Sequence, residues 1–438
     1  MPSLQQAFGT VETQYRRRTP RSAALFARAE QALPGGDTRT STTFGPYPTY
    51  IARGEGARLT DVDGNELLDF LNNYTSLIHG NAFAPVVDAA RKQIELGSAF
   101  GAPNEFQVEL AALMCERVPS VERIRFTNSG TEGTMMAIRG ARAFTGRELI
   151  VKLEGGYHGT HDSVAGGAGV LRATQAATIQ IPYNDAPALE RVLAERAGQV
   201  AAVILEPVMG SVGMIAAEPA YLTEVRRVTA AHDVLLILDE VMTFRLDSGG
   251  AQAIYGVLPD LTSFAKIIGG GFPVGAFGGR ADIMDLVNPA HMKVMHAGTF
   301  NGNPVTMAAG LAAMEHLTPD KIRKANALGD ALRRGFTEVL VEQGVHGQAT
   351  GLGSLVGIHL VPHPVRNYRD ASAVPPVLRD ALHLSLLNRG VLTSRGGVLN
   401  TSTVMTESDV NRVVEAFQDA LVELKPAIAS ECPELVRA

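Results

Sequence analysis

The fold of this chain is decided by the stretch Val234-Leu235-Leu236-Ile237-Leu238-Asp239-Glu240, in which five apolar residues run directly into two acids. An apolar run without polar alternation is typical of a strand that is buried on both faces of a parallel sheet. Four similar runs lie upstream, at residues 124–127, 149–153, 179–182 and 202–205. Because helical patterns such as 134–144 and 221–231 separate the runs, the sequence predicts an α/β domain whose mostly parallel sheet is flanked by helices.

The pattern is different near the N-terminus. Residues 1–30 predict a helical arm, which Pro34-Gly35-Gly36 ends. Residues 50–70 predict a β-hairpin that turns at Asp63-Gly64, because a strand pattern stands on each side of this turn. We expect this arm and hairpin, over residues 1–65, to form part of a small domain.

The pattern changes again beyond residue 320. A long helix, two short strands and a final helix are predicted, at residues 325–343, 355–360, 398–401 and 407–424. Helices and strands in this order indicate a smaller α+β domain. The predicted division is therefore an N-terminal arm and hairpin over 1–65, a large α/β domain over 66–320 and a C-terminal small domain over 321–438.

The composition argues against several classes of protein. The chain has 438 residues, of which 45% are hydrophobic, and a formal net charge of −6. It shows no basic stripe for a nucleic acid, and no apolar run approaches the ~20 residues of a membrane span. Its two cysteines, Cys115 and Cys432, have neither a disulfide-framework nor a metal-ligand spacing. We expect a cytoplasmic protein without a signal peptide and without a nucleic-acid or membrane partner.

A phosphate site is indicated after the first strand of the predicted sheet, where the chain reads Thr127-Asn128-Ser129-Gly130-Thr131-Glu132. Hydroxyls and free N–H groups at a helix N-terminus attract anions, and a phosphate fits such a site. The same residues also suit a plain helix cap. Thr299, in the glycine turn Gly298-Thr299-Phe300-Asn301-Gly302, is a second hydroxyl that could bind a phosphate or simply belong to a turn.

Two residues of opposite charge are expected to be buried at the sheet edge. Asp239 ends an apolar strand, so it needs a cationic partner or several donors, and the protonated nitrogen of a pyridine ring is such a partner. Lys266, within the apolar and glycine-rich run 261–271, is expected to be desolvated. Desolvation lowers the pKa of an amine and favours its use as a nucleophile. Either residue could instead belong to a structural ion pair.

An aromatic residue follows two glycines in Gly155-Gly156-Tyr157-His158-Gly159. Glycines at this position let the Tyr157 ring lie flat on a cofactor. His158 and His161 are near each other in the sequence and could suggest a metal. No third ligand accompanies them, so we predict no metal site.

Taken together and in this order, these motifs resemble the class III aminotransferases, which are pyridoxal-phosphate enzymes of fold type I. The resemblance covers residues 30–425. Its motifs are Asn128-Ser129-Gly130-Thr131-Glu132, Gly156-Tyr157-His158-Gly159, Glu206-Pro207, Asp239-Glu240-Val241, Lys266 with Gly269-Gly270-Gly271, and Gly298-Thr299. The resemblance implies pyridoxal 5′-phosphate (PLP) as the cofactor, an amino acid and a keto acid as substrates, and amino-group transfer as the reaction.

The resemblance also implies a role for each motif around the cofactor ring. Lys266 would hold the cofactor as a Schiff base and carry the proton between substrate and cofactor. Asp239 would pair with the pyridine nitrogen. Tyr157 and Val241 would lie on opposite faces of the ring, and Glu206 would support the region near the ring hydroxyl.

The remaining cofactor-binding residues are implied to lie around the phosphate and at a subunit interface. Ser129, Gly130 and Thr131 would hold the phosphate, and His158 is counted with the cofactor-binding residues. Thr299 would reach the phosphate of the partner subunit. The resemblance therefore implies a homodimer with its active sites at the interface.

Two subgroups of the family compete for this chain. Glutamate-1-semialdehyde aminomutase, which moves an amino group within one molecule, usually has a Ser-Trp-Gly stretch after the first hairpin. This chain reads Asn72-Asn73-Tyr74-Thr75-Ser76 there and contains no tryptophan. It also reads Val241-Met242-Thr243-Phe244-Arg245, one residue shorter than the aminomutase motif. The chain therefore resembles more closely the β-amino-acid aminotransferases, which act on substrates such as β-phenylalanine.

The resemblance assigns three residues to substrate binding: Arg39, Tyr74 and Arg395. A guanidinium holds a carboxylate through two parallel hydrogen bonds, so two arginines could hold both carboxylates of 2-oxoglutarate. Each arginine could equally form a surface ion pair, and pyruvate is the other candidate acceptor. Other PLP reactions, such as racemisation or decarboxylation, and a non-catalytic PLP-binding regulator are further alternatives. A regulator normally carries an added DNA-binding domain, for which 438 residues leave no room.

Overall fold

The computed structural model describes residues 2–437 and begins with two helices and a small antiparallel sheet. These elements are α1 (Leu4–Arg18), α2 (Pro20–Ala29), β1 (Ile51–Glu55), β2 (Arg58–Asp61) and β3 (Glu66–Asp69). The predicted turn at Asp63-Gly64 lies between β2 and β3. The sequence did not predict a second turn at Gly56, whose φ of +54° suits glycine. The expected hairpin is therefore three antiparallel strands.

The central part of the chain alternates helices and strands, as the sequence predicted. Its elements are α3 (Asn72–Thr75), α4 (Ala84–Leu96), α5 (Glu105–Arg117), β4 (Arg123–Thr127), α6 (Gly130–Thr145), β5 (Leu149–Leu153), α7 (Arg172–Ala176), β6 (Thr178–Ile181), α8 (Ala186–Glu195), β7 (Val200–Leu205), β8 (Val208–Met209), β9 (Ile215–Ala216), α9 (Tyr221–Ala231), β10 (Leu235–Asp239), α10 (Ala251–Tyr255), β11 (Leu261–Ala265), β12 (Gly275–Gly279), α11 (Ala281–Met284) and α12 (Pro304–His316).

Seven of these strands form one sheet in the order β4-β12-β11-β10-β7-β5-β6. All run parallel except β12, which is antiparallel to both neighbours. Every residue of β7, β10 and β11 is buried, so both faces of the sheet are covered. Each buried Leu, Ile or Val side chain contributes about 1.5–3 kcal/mol to folding. The predicted α/β fold with a mostly parallel sheet is confirmed.

The sequence did not predict β12, because its residues Gly275-Ala276-Phe277-Gly278-Gly279 are poor in strand formers. The structure supplies the reason for one of the glycines. A Cβ atom at Gly275 would lie 1.9 Å from the Ser129 carbonyl oxygen, which no side chain can tolerate. Gly275 is therefore required where the loop after β4 crosses the strand.

The C-terminal part forms a second, smaller sheet with helices on it. Its elements are α13 (Pro319–Glu342), β13 (Gln348–Leu352), β14 (Leu355–His359), α14 (Tyr368–Ala371), α15 (Pro376–Asn388), β15 (Val391–Leu392), β16 (Val398–Asn400) and α16 (Glu407–Glu431). The strands β13, β14 and β16 are antiparallel neighbours. This arrangement is the smaller α+β part that the sequence predicted.

The two ends of the chain share one hydrophobic core. Leu4 and Val11 of α1 are buried in the same cluster as Leu382 of α15 and Phe417 of α16. In addition, β15 of the C-terminal part pairs in parallel with β3 and so joins the N-terminal sheet. The domain boundaries at residues 65 and 320 stay a prediction.

One turn of the central part has an unusual backbone. All four residues of α3, which are Asn72, Asn73, Tyr74 and Thr75, have positive φ angles between 46° and 75°. A left-handed conformation costs about 1–2 kcal/mol for a residue with a side chain. Neighbouring groups hold this turn: the Asp69 Oδ1 atom accepts hydrogen bonds from the N–H groups of Leu71 (3.2 Å) and Asn72 (2.7 Å). The turn is thus a strained segment that its surroundings fix.

Two general properties follow from the elements that the structure describes. Within residues 2–437, no helix is both long and apolar enough to cross a membrane. The same residues contain no group of three or more His, Cys, Asp or Glu side chains that could hold a metal ion.

Candidate active site

Most of the predicted cofactor residues follow strands of the large sheet. They come after β4, β5, β7, β10 and β11, which run parallel to one another, so their carboxyl ends meet at one edge. Ligands of open α/β sheets bind at this edge. The fold therefore gathers residues that lie far apart in the sequence.

The helix α6 presents its N-terminus at this edge. Ser129 is the N-cap residue, and its Oγ atom accepts a hydrogen bond from the Glu132 N–H (3.2 Å). Glu132 in turn accepts from the Asn128 N–H (2.8 Å), so the loop is fixed on both sides. The first-turn N–H groups of Gly130 and Thr131 have no acceptor within the helix. They lie where an anion is favoured by the helix dipole.

Small residues bring the neighbouring loops against this helix end. A Cβ atom at Gly130 would lie 3.1 Å from a methyl group of Val241, and one at Gly159 would lie 2.7 Å from Thr131 Cα. The loop after β5, the loop after β10 and the start of α6 are therefore in direct contact. A side chain at either glycine would push these loops apart.

Asp239 lies buried at the end of β10, next to His158. The two side chains are 4% and 0% exposed, and the His158 Nδ1 atom lies 2.8 Å from the Asp239 Oδ2 atom. Because a carboxylate only accepts hydrogen bonds, Nδ1 carries the hydrogen. The Asp239 Oδ1 atom accepts from the Val241 N–H (3.0 Å). The buried His158 Nε2 atom has no partner among the described residues.

Glu206 holds the loop that carries Tyr157. Its two carboxylate oxygens accept hydrogen bonds from the N–H groups of Tyr157 (3.0 Å) and Gly210 (3.1 Å). Burial raises the pKa of Glu206, and the neighbouring His158 opposes this rise. The Tyr157 ring itself is 57% exposed, so it is free to contact a ligand.

Lys266 follows β11 directly and has a positive φ of 55°. Burial lowers the pKa of its amine to about 8, and the carboxylates of Asp239 and Glu206 limit this fall. The neutral fraction of the amine at neutral pH is therefore raised by about two orders of magnitude over a free lysine side chain. A neutral amine is the form that attacks a carbonyl carbon.

The three predicted substrate residues line one cavity of about 450 Å³, which we call the Arg39 cavity. It lies between the N-terminal arm, the strained turn α3 and residues 392–395. The Arg39 Nη1 atom donates to the Asn73 Oδ1 atom (2.8 Å), and Tyr74 donates to the Ser41 carbonyl. Neither Lys266 nor Asp239 is among the described residues that line this cavity. The predicted site residues therefore lie in two groups: the cofactor residues at the sheet edge and the substrate residues in the Arg39 cavity.

Arg395 was assigned to the substrate and Thr299 to a phosphate, and both have other neighbours in the single chain. Arg395 forms a two-pronged ion pair with Asp380, through Nε (2.5 Å) and Nη2 (2.7 Å), which leaves its Nη1 side for a further acceptor. Thr299 is exposed, in a turn that Asn301 ties to Asn128 of the same chain (2.8 Å). In a single chain, Thr299 is thus at the surface and close to the loop that precedes Ser129.

Arg245 is a residue of this region that the sequence did not predict to be important. It is 1% exposed and donates only to neutral acceptors, which are Ser354 Oγ (2.9 Å), Asn400 Oδ1 (2.8 Å), the Thr75 carbonyl (3.4 Å) and the Thr401 carbonyl. Burial lowers the pKa of Arg245 to about 9. The only sign in the sequence that Arg245 is buried is its position in the mostly apolar segment 241–246.

We expect Arg245→Met to destabilise the protein and to weaken substrate binding. The substitution leaves three buried acceptors without this donor, because Asn400 Oδ1 still accepts from the Asn72 amide (3.1 Å). Each such group costs about 1–3 kcal/mol. Removal of an unpaired buried charge offsets part of this cost. We expect the free energy of unfolding, measured with urea, to fall by about 3 kcal/mol or more. Because the strained turn also loses a contact, the KM for the substrate should rise.

Two further variants make this test specific. Arg245→Lys keeps the charge but cannot span four acceptors, so it should be intermediate. Arg334→Gln removes an exposed arginine of α13 and should change neither quantity. Unchanged stability in Arg245→Met would show that the arginine does not hold these segments together.

The residues at the sheet edge fit PLP. The buried carboxylate of Asp239 suits a protonated ring nitrogen, the α6 N-terminus suits a phosphate, and the Lys266 amine suits an aldehyde. The fold and the site together define a PLP-dependent enzyme of fold type I.

The comparison with protein families makes the assignment more specific. The family model for class-III aminotransferases matches residues 41–421, so the chain belongs to that family. Its cofactor is PLP.

Individual relatives agree with the family. A glutamate-1-semialdehyde 2,1-aminomutase of Archaeoglobus fulgidus is 41% identical, over 92% of this chain and 99% of that protein. The crystal structure of an omega-transaminase from Sphaerobacter thermophilus has a TM-score of 0.89 and 44% identity, and covers 92% of this chain and 98% of its own. A β-phenylalanine aminotransferase from Variovorax paradoxus has a TM-score of 0.92 and 36% identity, over 97% and 99% of the two chains.

Proposed function

We propose that this enzyme transfers an amino group from a β-amino acid with an apolar, aromatic-sized side chain to 2-oxoglutarate or pyruvate. The observation that carries the proposal is the Arg39 cavity, where Arg39 and Arg395 line one space together with Tyr74. A dicarboxylic keto acid needs two carboxylate anchors, and each guanidinium can supply one. Apolar walls, which include Phe44 and Leu59, suit the side chain of the donor.

The sheet-edge residues would perform the chemistry that all members of such a subgroup need. When bound, PLP supplies an aromatic ring that stores the electron pair left by a broken C–H bond. Asp239 would keep the proton on the ring nitrogen, and the His158 N–H would keep the Asp239 carboxylate oriented. The Lys266 amine would take the proton from the substrate carbon and return it at the acceptor side. Ser129, Gly130 and Thr131 would hold the phosphate.

Two loops would complete the cofactor site. Tyr157, on the loop that Glu206 holds, would cover one face of the ring. Val241, which lies beside Asp239 and near Gly130, would cover the other face. These positions support the proposed roles of Tyr157 and Val241.

A homodimer is part of the proposal. Thr299 and Tyr157 are exposed in one chain although both are proposed to bind the cofactor. Covering them by a second copy would give Thr299 of each subunit a phosphate to contact. We also propose a cytoplasmic location, on the basis of the sequence alone.

The second candidate is glutamate-1-semialdehyde 2,1-aminomutase, which the curated relatives favour. Relatives with that name match this chain at 39–44% identity. These names support the aminomutase more directly than they support our first candidate. The substrate of an aminomutase has one carboxylate and would use only one of the two arginines, whereas 2-oxoglutarate as an acceptor would use both. Solved relatives at 44% and 36% identity are named as transaminases.

A half-reaction distinguishes the two candidates. The PLP form of the enzyme is mixed with racemic β-phenylalanine without a keto acid, and the visible absorption of the lysine-bound cofactor is followed. An aminotransferase should lose this band as the amino group leaves the substrate, and an enantioselective enzyme should consume at most half of the β-phenylalanine.

The matched experiment uses glutamate-1-semialdehyde under the same conditions, scored for 5-aminolevulinate. Rapid formation of 5-aminolevulinate, with no bleaching by β-phenylalanine, would overturn the proposal in favour of the aminomutase. Bleaching by β-phenylalanine and recovery of the band with 2-oxoglutarate or pyruvate would support it and identify the acceptor.

A further inference from the structure

A second cavity lies next to the Arg39 cavity. It has a volume of about 260 Å³, and we call it the Arg379 cavity after the residue that distinguishes it. The two cavities share four lining residues: His383, Thr393, Ser394 and Arg395. Arg395 and its partner Asp380 thus stand between two spaces, of which only the first was expected from the sequence.

One face of α15 forms a wall of the Arg379 cavity. Arg379, Leu382, His383 and Leu386 all line it, and their spacing of three and four residues places them on one side of the helix. The wall therefore presents a cation, a histidine and two leucines to the same space. Further apolar residues, Ile358 and Leu360 among them, line the space as well.

The charges around the cavity are unbalanced. Arg379 and Arg395 both line it, and none of the described lining residues is an aspartate or a glutamate. Asp380 neutralises Arg395 in part. For Arg379 the structure shows no ion pair within residues 2–437, and its Nε atom is buried without a hydrogen-bond partner. A guanidinium donor left in this state costs free energy that an anionic acceptor would recover.

His383 supplies an independent observation. It is 3% exposed, and neither ring nitrogen has a partner among the described residues. Burial lowers the pKa of His383 to about 4, so the ring is neutral at neutral pH and offers one donor and one acceptor. Its ring packs edge-on against Phe44 (4.6 Å between centroids), at the boundary with the Arg39 cavity. Neither ring nitrogen is reachable by a water molecule in this conformation, so the ring would have to turn toward the cavity for a ligand to satisfy one of them.

We propose that the Arg379 cavity binds a carboxylate carried on a short apolar chain. The terminal nitrogens of Arg379 would pair with the carboxylate, the leucines of α15 would contact the chain, and His383 would add a neutral hydrogen bond once its ring turns toward the cavity. A larger anion such as a nucleotide phosphate does not suit the small volume and the apolar walls. The ligand would be either the far end of a long keto or amino dicarboxylate, or a separate small carboxylic acid.

The site is tested by binding of hexanoate to the PLP-loaded enzyme, measured by calorimetry. The parent enzyme should bind hexanoate, and Arg379→Gln should weaken the binding about tenfold or more, because a charge-assisted hydrogen bond is lost. Arg379→Lys, which keeps the charge, should retain part of the affinity. Arg334→Gln should bind as the parent does. Absence of binding, or equal affinity in Arg379→Gln, would overturn the proposal.

The source of the carboxylate is decided by kinetics, in an arm that rests on the proposed function. If the cavity takes the far end of the acceptor, Arg379→Gln should raise the KM for 2-oxosuberate and leave kcat and the KM for pyruvate unchanged. If the cavity takes a separate acid, the KM values should stay unchanged and hexanoate should bind without competing with the acceptor. Hexanoate binding does not need turnover, so failure of the proposed function alone would leave the calorimetric result intact.

Discussion

Lys266→Ala is expected to abolish turnover, with a fall in kcat of about 10⁴-fold or more. The amine is placed to act as a nucleophile and as the proton carrier, and general acid–base catalysis alone contributes about 10²–10⁴-fold. The low pKa of Lys266, about 8, reflects a site built for the neutral amine. The visible band of the lysine-bound cofactor should disappear with the activity. Borohydride reduction followed by peptide mass spectrometry should find the cofactor on Lys266 in the parent enzyme only.

A second buried lysine provides the control. Lys152, on β5, is 8% exposed and donates to the Val164 carbonyl (3.0 Å). Lys152→Met should lower stability but keep the visible band and the labelled Lys266 peptide. An active Lys266→Ala enzyme, or label on Lys152, would show that the assignment of the cofactor lysine is wrong.

Asp239→Asn is expected to keep the fold and to lose most of the rate. The amide oxygen can accept from the His158 N–H, but the amide NH₂ then faces the Val241 N–H. The substitution also removes the negative charge that would hold the ring nitrogen protonated. Loss of one such preorganised electrostatic contact costs about 10²–10³-fold in kcat. We expect a fall of this size, together with a shifted visible band and a melting temperature somewhat below that of the parent.

The neighbouring acid makes a matched control for this variant. Glu240 is also buried, but its carboxylate accepts from the N–H groups of Ala251 (3.0 Å) and Gln252 (2.7 Å). Glu240→Gln should lower the melting temperature and leave the visible band in place. The opposite pattern, with the band shifted by Glu240→Gln and kept by Asp239→Asn, would contradict the assignment of Asp239 to the cofactor.

The sheet and its edge could be predicted because their signals are local. An apolar run that ends on a polar residue, such as 234–239, marks both a buried strand and the edge where ligands bind. The helix start after Thr127 likewise carries its cap residues within six positions. Each of these motifs can be recognised from neighbouring residues alone, without knowledge of any long-range contact.

The features that the sequence missed depend on distant partners. Arg245 donates to Asn400, which lies 155 positions away, and no local pattern near either residue predicts this contact. For Arg395 the sequence left substrate binding and an ion pair open, and it did not indicate that Asp380 on the preceding helix is the partner. The strand β12 was missed because close backbone contacts, such as that of Gly275 with the loop at Ser129, require glycines that have low strand propensity. In each case the deciding interaction is tertiary.

The shared core of the two chain ends has a consequence for the order of events during synthesis. A ribosome releases residues 4–70 long before residues 378–428, which bury the same apolar side chains. The apolar side chains of the first segment therefore stay exposed to solvent until almost the whole polypeptide has been made. Contacts between such distant segments slow folding and expose nascent chains to aggregation. The Arg39 cavity, whose walls come from both ends, would be among the last features of the molecule to form.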